Sequence, residues 1–277
     1  MFKLQLKTLL RYYKSKEISI WKFRFLGKIK FLRILIKYLF RLLFYNGRVV
    51  NIMFGPLADY KWFCDNSQQF WMPLGLYEKE TTECLINAIN NGDIFFDIGA
   101  NAGYFSLLGS RYCGEGGQVI AFEPIPSNCD VINQHLNENN INSVIVENIA
   151  ISKNTEKVNF SIQHNNATSH MENISITHAV ENKKKSIQAS AMSLDDYIDK
   201  CKTIPNVIKV DVEGAETLVL EGATRLLQNF NAIWIISTHS SQLFEECKAI
   251  MIHYGYNVNS LVGFHHELIC EKNKGKN

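Results

Sequence analysis

Short apolar runs recur between residues 92 and 240, and longer segments that predict helices separate them. Runs of this length are typical of strands buried on both faces. Alternating strands and helices predict an open, doubly wound α/β sheet. The predicted strands are 94–96, 118–123, 144–148, 206–210 and 232–236, followed by a closing antiparallel hairpin at 256–262 and 266–271. The predicted helices are 80–91, 103–113, 126–139, a helix capped by Ser193, 213–228 and 241–254.

The turn after the first strand is rich in small residues. Asp97 closes the strand, and Gly99 and Gly103 follow it. Glycine lets the backbone turn tightly and leaves room for a ligand. A dinucleotide-binding turn would be G-x-G-x-x-G, which grips a pyrophosphate. A carboxylate before G-x-x-x-G suits a ligand with a cationic amine, such as S-adenosylmethionine, although an ordinary strand-to-helix turn is an alternative.

The next two predicted strands also end in polar residues. Glu123 lies 20 residues beyond Gly103, and an acid at the end of the second strand can accept hydrogen bonds from both ribose hydroxyls of a nucleotide. Asn148 follows the third strand, where an adenine would lie. Its amide could bond the edge of the base, or it could cap a turn.

Three stretches together resemble the signature blocks of the FkbM family of S-adenosylmethionine-dependent methyltransferases. They are 96–103, 121–124 and 208–216, and the resemblance covers roughly residues 47–272. It implies a class I methyltransferase (Rossmann-like) fold with a seven-stranded, mostly parallel sheet and an antiparallel C-terminal hairpin. It also implies methyl transfer from S-adenosylmethionine to a hydroxyl of a sugar, glycan, glycolipid or secondary metabolite. The residues predicted to bind the cofactor are Asp97, Gly99, Ala100, Asn101, Gly103, Glu123, Asn148 and Asp211.

Acidic residues and a histidine follow the fourth and fifth strands. Asp211 is placed at the sheet edge where transferred groups sit, and Glu213 is assigned to the acceptor. Glu216 opens the next helix, where an acid favours the helix dipole, so it is interpreted as structural. His239 is predicted to be the catalytic base, with Asp211 orienting it or binding the acceptor. Members of the resembled family more often carry an acid shortly before this histidine, whereas Ser-Thr precedes it here.

The segment 47–92 is strand-like and rich in turns, which predicts a lid or pre-domain segment before a catalytic domain at 93–272. Tyr77 and Glu78 are candidates for contact with the substrate. The alternative is that they fasten the lid to the domain.

Charge divides the chain into two different parts. Residues 1–48 hold 13 of the 29 lysines and arginines and a single acid, giving a net charge of +12, while the remainder carries −10. The cations within 28–45 recur at helical spacing opposite a broad apolar face, and they are too many for a bilayer span. We therefore predict a basic amphipathic helical extension over 1–46. It lies on an anionic membrane surface or packs on protein.

Composition bounds the remaining possibilities. The seven cysteines include no C-x-x-C spacing, which is typical of reduced thiols in a cytoplasmic protein. If the basic helix binds a membrane, the protein is expected to be peripheral at the inner face of that membrane. The insertion at 165–185, between predicted strands 157–162 and 186–191, carries histidines without metal-ligand spacing. No metal and no nucleic-acid partner are expected.

Two other functions stay open at this point. One is a nucleotide-sugar dehydrogenase or epimerase, against which the missing G-x-G-x-x-G counts. The other is a non-catalytic subunit that tethers a glycan-assembly complex to the membrane, for which a broken cofactor block would be the marker.

Overall fold

The structure is a computed structural model that describes residues 47–65, 71–162, 169–171, 185–261 and 266–272. The predicted basic helix at 28–45, with its membrane contact, lies outside these ranges, and so does most of the 165–185 insertion. The chain divides into two units, Met1–Tyr77 and Glu78–Asn277. This division falls inside the predicted segment 47–92, whose boundaries stay a prediction.

The described part of the first unit contains a small antiparallel hairpin. Its strands are β1 (Val49–Asn51) and β2 (Lys61–Phe63), and a one-turn helix, α1 (Trp71–Leu74), follows. Trp62 on β2 is fully buried.

The second unit alternates strands and helices in the predicted way. Its strands are β3 (Ile94–Ile98), β4 (Gln118–Phe122), β5 (Val144–Glu147), β6 (Ala150–Ile151), β7 (Glu156–Ile162), β8 (Ser169–Met171), β9 (Lys185–Met192), β10 (Val207–Val210), β11 (Ile233–Ser237), β12 (Tyr256–Ser260) and β13 (Glu267–Lys272). Its helices are α2 (Lys79–Ala88), α3 (Tyr104–Cys113), α4 (Pro126–Glu138), α5 (Leu194–Cys201), α6 (Glu216–Glu221), α7 (Thr224–Asn229) and α8 (Ser241–His253). Among the described helices, none has both the length and the apolar character needed to cross a bilayer.

Seven strands form the main sheet in the order β12-β13-β11-β10-β3-β4-β5. The five strands from β11 to β5 run parallel. At one edge β13 runs antiparallel to both of its neighbours, β11 and β12, so β12 has the same direction as the five parallel strands. This confirms the predicted class I methyltransferase sheet. A smaller sheet, β6-β9-β7-β8, contains the two strands predicted on either side of the insertion.

Side chains alternate between the two faces of the main sheet, and this alternation places charge inside the protein. Phe96, Ile208 and Trp234 belong to one apolar cluster. The next residues on two of these strands, Asp97 and Lys209, are register partners on the opposite face. Both are almost completely buried, so that face carries a pair of charged groups in its interior.

The helix predicted over 213–228 is instead two short helices, α6 and α7, and this prediction was wrong in its extent. The break lies at Gly222, where a Cβ atom would come within 2.1 Å of the carbonyl oxygen of Ser152. The carbonyl of Gly222 also accepts a hydrogen bond from the amide of Asp195. The chain therefore packs backbone against backbone here, which a continuous helix with side chains would prevent.

The predicted Ser193 cap of α5 is confirmed. The hydroxyl of Ser193 accepts a hydrogen bond from the amide of Asp196 at 3.1 Å, as an N-cap serine should. The side chain of Asp196 accepts a hydrogen bond from the Thr155 hydroxyl at 2.6 Å instead of completing a capping box.

Candidate active site

The turn between β3 and α3 holds three residues in the left-handed region of backbone space. The φ angles are 84° at Gly99, 52° at Asn101 and 82° at Gly103, with Ala100 buried between them. A Cβ atom at position 99 would lie 1.9 Å from the carbonyl oxygen of Asp211. The glycine turn therefore lies against the start of the acidic segment after β10, and the two predicted halves of the site adjoin one another.

Glu123 follows β4, and its carboxylate is held beside this turn. One oxygen accepts from the amide of Asn101 at 2.8 Å, and the other accepts from the amide of Ile125 at 2.9 Å and the side chain of Asn128 at 3.1 Å. Burial raises the pKa of Glu123 to about 7, although these donors oppose the shift. The group is fixed at the strand end where a ribose-binding acid is predicted.

Asp97 lies deeper, at the carboxyl end of β3. Its Oδ2 atom accepts a hydrogen bond from the Ser106 hydroxyl at 2.6 Å. Its Oδ1 atom is buried and has no hydrogen-bond partner within the described residues. Burial raises the pKa of Asp97, and the ammonium of Lys209 and the Ser106 hydroxyl act in the opposite direction. A buried carboxylate oxygen without a partner is costly unless a ligand satisfies it.

Asp211, Glu213 and His239 meet at the carboxyl ends of β10 and β11. The Nε2 atom of His239 lies 3.2 Å from Glu213 Oε2 and 3.6 Å from Asp211 Oδ1. Glu213 has a φ of 53°, a strained conformation for a side-chain-bearing residue that often marks a functional site. Tertiary folding thus brings together the three residues assigned to the acceptor side.

Glu216 holds the other nitrogen of this imidazole. Its Oε1 atom lies 2.7 Å from His239 Nδ1 and accepts a hydrogen bond from the amide of Gly214 at 2.9 Å. Glu216 is completely buried. The contact that orients His239 therefore comes from Glu216, which the sequence indicated as structural, while Asp211 faces the opposite side of the ring.

The surroundings of His239 favour its charged form. Burial would lower its pKa, but the hydrogen bond to Glu216 and the charges of Asp211, Glu213 and Glu216 outweigh burial and raise the pKa to about 9. At neutral pH the ring is mainly an imidazolium that pairs with these carboxylates.

The family model described as "Methyltransferase FkbM domain" matches residues 97–258, more than half of the chain. The chain belongs to this FkbM methyltransferase family. Family membership favours a methyltransferase over the dehydrogenase or epimerase alternative.

Two curated proteins are similar to this FkbM-family chain. Hexuronic acid methyltransferase AglP of Haloferax volcanii is 27% identical over 199 residues, which cover 70% of this chain and 77% of that protein. Methyltransferase 1 of Beauveria bassiana is 23% identical over 141 residues, 46% of this chain and 56% of that protein. The chain thus spans just over half the length of the second relative.

Similar solved structures carry related descriptions. A methyltransferase FkbM from Methylobacillus flagellatus has a TM-score of 0.46 and 20% identity, and the match covers 64% of this chain and 43% of that one. A SAM-dependent O-methyltransferase from Thermotoga maritima has a TM-score of 0.45 and 9% identity, covering 84% of this chain and 80% of that one.

S-adenosylmethionine is the cofactor of this methyltransferase, and the described residues fit it. Asp97 offers a buried, unsatisfied oxygen to a cationic amine. The turn at Gly99 would let a ligand approach the backbone, and Glu123 would present its fixed carboxylate to a ribose. Asp97, the glycine turn and Glu123 lie at the ends of the adjacent strands β3 and β4, where open α/β sheets bind nucleotides.

Asn148 occupies the end of β5, but its amide is engaged with the protein. Its Nδ2 atom donates to the carbonyl of Glu123 at 2.9 Å and to Cys129 Sγ at 3.3 Å. The amide therefore braces the backbone of Glu123, the predicted ribose-binding acid, and a direct bond to adenine stays a prediction.

Asn148→Ala should weaken binding of S-adenosylhomocysteine by about two- to tenfold, because the loss of one internal hydrogen bond costs about 0.5–1.5 kcal/mol. Isothermal titration calorimetry would measure this loss. If Asn148 acts through Glu123, S-inosylhomocysteine should lose the same factor, since it shares the ribose and differs in the base. A loss confined to the adenine ligand would assign Asn148 to base recognition instead.

Tyr77 and Glu78 lie at the junction of the two units. Tyr77 ends the first unit, and Glu78 precedes α2 with a φ of 36°. The carboxylate of Glu78 contributes to the raised pKa of Lys209, so it belongs to the surroundings of this buried cation. The assignment of both residues to the substrate stays a prediction.

Asp211, Glu213 and His239 are also the described residues that could hold a metal ion, because their ligand atoms lie within 4.8 Å of one another. The same atoms are satisfied when the imidazolium pairs with the two carboxylates. The expectation that no metal is needed stays a prediction.

Sequence reasoning missed two buried groups of this site. Lys209 interrupts the apolar run Val207–Val210, and a charged residue inside a buried strand was the available signal. Glu267 on β13 carried no such signal, since it begins a strand at the edge of the chain's closing hairpin. Its carboxylate accepts from the hydroxyls of Thr81 at 2.7 Å and Ser237 at 3.2 Å, which places it at the carboxyl end of β11.

Proposed function

We propose that this methyltransferase transfers the methyl group of S-adenosylmethionine to a hydroxyl oxygen of a sugar, glycan, glycolipid or related metabolite. The similarity to a hexuronic acid methyltransferase supports a sugar acceptor. The single observation that carries the proposal is the His239 cluster beside the glycine turn. A hydroxyl acceptor must lose a proton during transfer, and this cluster adjoins the glycine turn that is proposed to bind the methyl donor.

His239 is the proposed base. When bound, the cofactor supplies an electrophilic methyl group on a sulfonium. The acceptor hydroxyl forms the new C–O bond as the C–S bond breaks, and its proton passes to Nε2 of His239. Glu216 fixes the ring through Nδ1 and stabilises the imidazolium that forms. Asp211 and Glu213 flank Nε2 and can hold the acceptor through its other hydroxyls.

Turnover should depend on pH through His239. The proposed base must be deprotonated, and its pKa lies at about 9 in the free protein. The value of kcat/KM should therefore rise about tenfold per pH unit from pH 6.5 and level off near pH 9. Formation of S-adenosylhomocysteine can be followed across this range at fixed ionic strength. A profile already level below pH 7.5 would contradict the assignment of His239 as base.

Mass spectrometry of glycans and lipids tests the proposed reaction. A strain that lacks this protein should contain a species 14 daltons lighter than the wild-type species, and the His239→Ala variant should not restore it. An extract of the deletion strain then serves as acceptor with methyl-labelled cofactor. A methyl ether resists mild alkali, whereas a methyl ester is hydrolysed. Release of the label by mild alkali would show that the methyl acceptor is a carboxylate and not a hydroxyl.

A further inference from the structure

Lys209 is the buried cation of this site. It lies within β10, its side chain is 1% exposed, and its Nζ atom is 4.5 Å from the centre of the Phe105 ring on α3. A charged group is tolerated at such depth only when opposite charge compensates for the lost water. The acidic groups that compensate for the buried charge of Lys209 therefore indicate the role of its ammonium.

Those groups come from both sides of the site. Lys209 Nζ lies 2.8 Å from Asp211 Oδ2. On the next strand, Asp97 is its register partner, and the ammonium lowers the pKa of Asp97 against the effect of burial. Glu78 and Glu267 also interact with this charge. One ammonium thus serves the carboxylate assigned to the cofactor amine and the carboxylate assigned to the acceptor side.

The carboxylates of Asp211 and Asp97 interact with Lys209 in different ways. Asp211 has a direct hydrogen bond to Nζ, which leaves its Oδ1 atom facing His239. Asp97 is bonded to Ser106 through Oδ2, and its Oδ1 atom has no partner among the described residues. Asp97 therefore depends on the nearby positive charge, together with its hydrogen bond from Ser106, to keep its own negative charge in the interior.

We propose that Lys209 is a positioning residue that holds Asp97 charged and Asp211 oriented, and so couples the donor half of the site to the acceptor half. The donor half of this inference concerns cofactor binding, and only the acceptor half rests on the proposed O-methylation. Without the ammonium, Asp97 would take up a proton and lose its attraction for a cationic amine.

A double-mutant cycle on cofactor binding tests the inference. Lys209→Met and Asp97→Asn should each weaken S-adenosylhomocysteine binding by about tenfold or more in isothermal titration calorimetry. If Lys209 acts through Asp97, the double variant should bind within about twofold of Asp97→Asn alone, because coupled residues are not additive. Lys153→Met is the matched control, since Lys153 forms an exposed ion pair with Glu221. It should leave affinity unchanged.

The same set of variants separates an effect of Lys209 on folding from its effect on cofactor binding. Removing one partner of a buried pair destabilises more than removing both, so the double variant should melt above Lys209→Met and remain measurable. Lys209→Arg keeps the charge and should recover most of the affinity lost in Lys209→Met. The proposal would be overturned if folded Lys209→Met bound S-adenosylhomocysteine within twofold of wild type. It would also be overturned if the loss of affinity in the double variant were the product of the losses in the two single variants. Neither result depends on the acceptor, so a failure of O-methylation is recognised separately by the alkali test.

Discussion

Replacing His239 with alanine should lower turnover by about 10²- to 10⁴-fold, the usual contribution of a positioned general base. The affinity for S-adenosylhomocysteine should stay within about twofold, because His239 faces the acceptor side. Its Nε2 atom lies between Glu213 and Asp211, and its Nδ1 atom is held by Glu216. Initial rates with extract from the deletion strain and calorimetry on the same preparation would measure both quantities.

Two further variants sharpen this experiment. Glu216→Gln keeps the size of the side chain but removes the charge that anchors Nδ1, so it should lower turnover less than His239→Ala does. His253→Ala is the matched control, since His253 is an exposed histidine at the end of α8. Turnover retained in folded His239→Ala would place the proton elsewhere, with Asp211 as the next candidate.

Glu123→Ala should weaken the binding of S-adenosylhomocysteine by at least tenfold, and by about a hundredfold if both ribose hydroxyls are bound. Hydrogen bonds to a charged acceptor contribute about 1.5–3 kcal/mol each, and 1.4 kcal/mol corresponds to a factor of ten. The carboxylate is already held by Asn101, Ile125 and Asn128, so little ordering is needed on binding. Glu115→Ala, at an exposed turn before β4, is the control. Wild-type affinity in a folded Glu123→Ala variant would exclude the residue from the ribose site.

The pH dependence of cofactor binding gives a second readout for Glu123. Burial raises its pKa to about 7 in the free protein, and ribose hydroxyls donate to the ionised form. Affinity should therefore fall as pH drops below 7, by up to tenfold per unit, and Glu123→Gln should remove this dependence. The stability of the folded protein should change with pH in the opposite direction to the affinity. A carboxyl whose folded pKa is raised makes the ligand-free protein less stable as pH rises past the ordinary value of 4.5. A pH-independent affinity in the wild type would mean that Glu123 does not meet the ligand.

Much of the fold follows from local patterns. The apolar runs predicted the five parallel strands of the main sheet to within a few residues, because strands buried on both faces are largely apolar. Ser193 predicted the start of α5, because its hydroxyl satisfies an amide that the helix leaves open. Asp97, Glu123, Asp211 and His239 were identified as candidates because polar residues that end parallel strands meet at one sheet edge.

The partners of these residues were decided only by tertiary structure. Glu216 was expected to stabilise a helix end, yet it is His239 that approaches its carboxylate, from a strand 23 positions away along the chain. The amide of Asn148 was predicted to bond adenine or to cap a turn, and it was the tertiary structure that showed its hydrogen bond to the Glu123 carbonyl. Hydrogen bonds between distant segments depend on how strands and loops pack, and residue types and spacing do not specify that packing.

The sequence by itself determined the α/β class, the family and the strand ends that carry the site. Only the tertiary structure decided that Lys209 is buried between Asp97 and Asp211, and that the helix predicted after β10 breaks at Gly222. Both depend on approaches across the fold. The ammonium of Lys209 bonds Asp211, and Lys209 is the register partner of Asp97 on the neighbouring strand. The backbone at Gly222 packs against Ser152. Periodicity reports which face of an element is buried. It does not report which atoms of another element that face will meet.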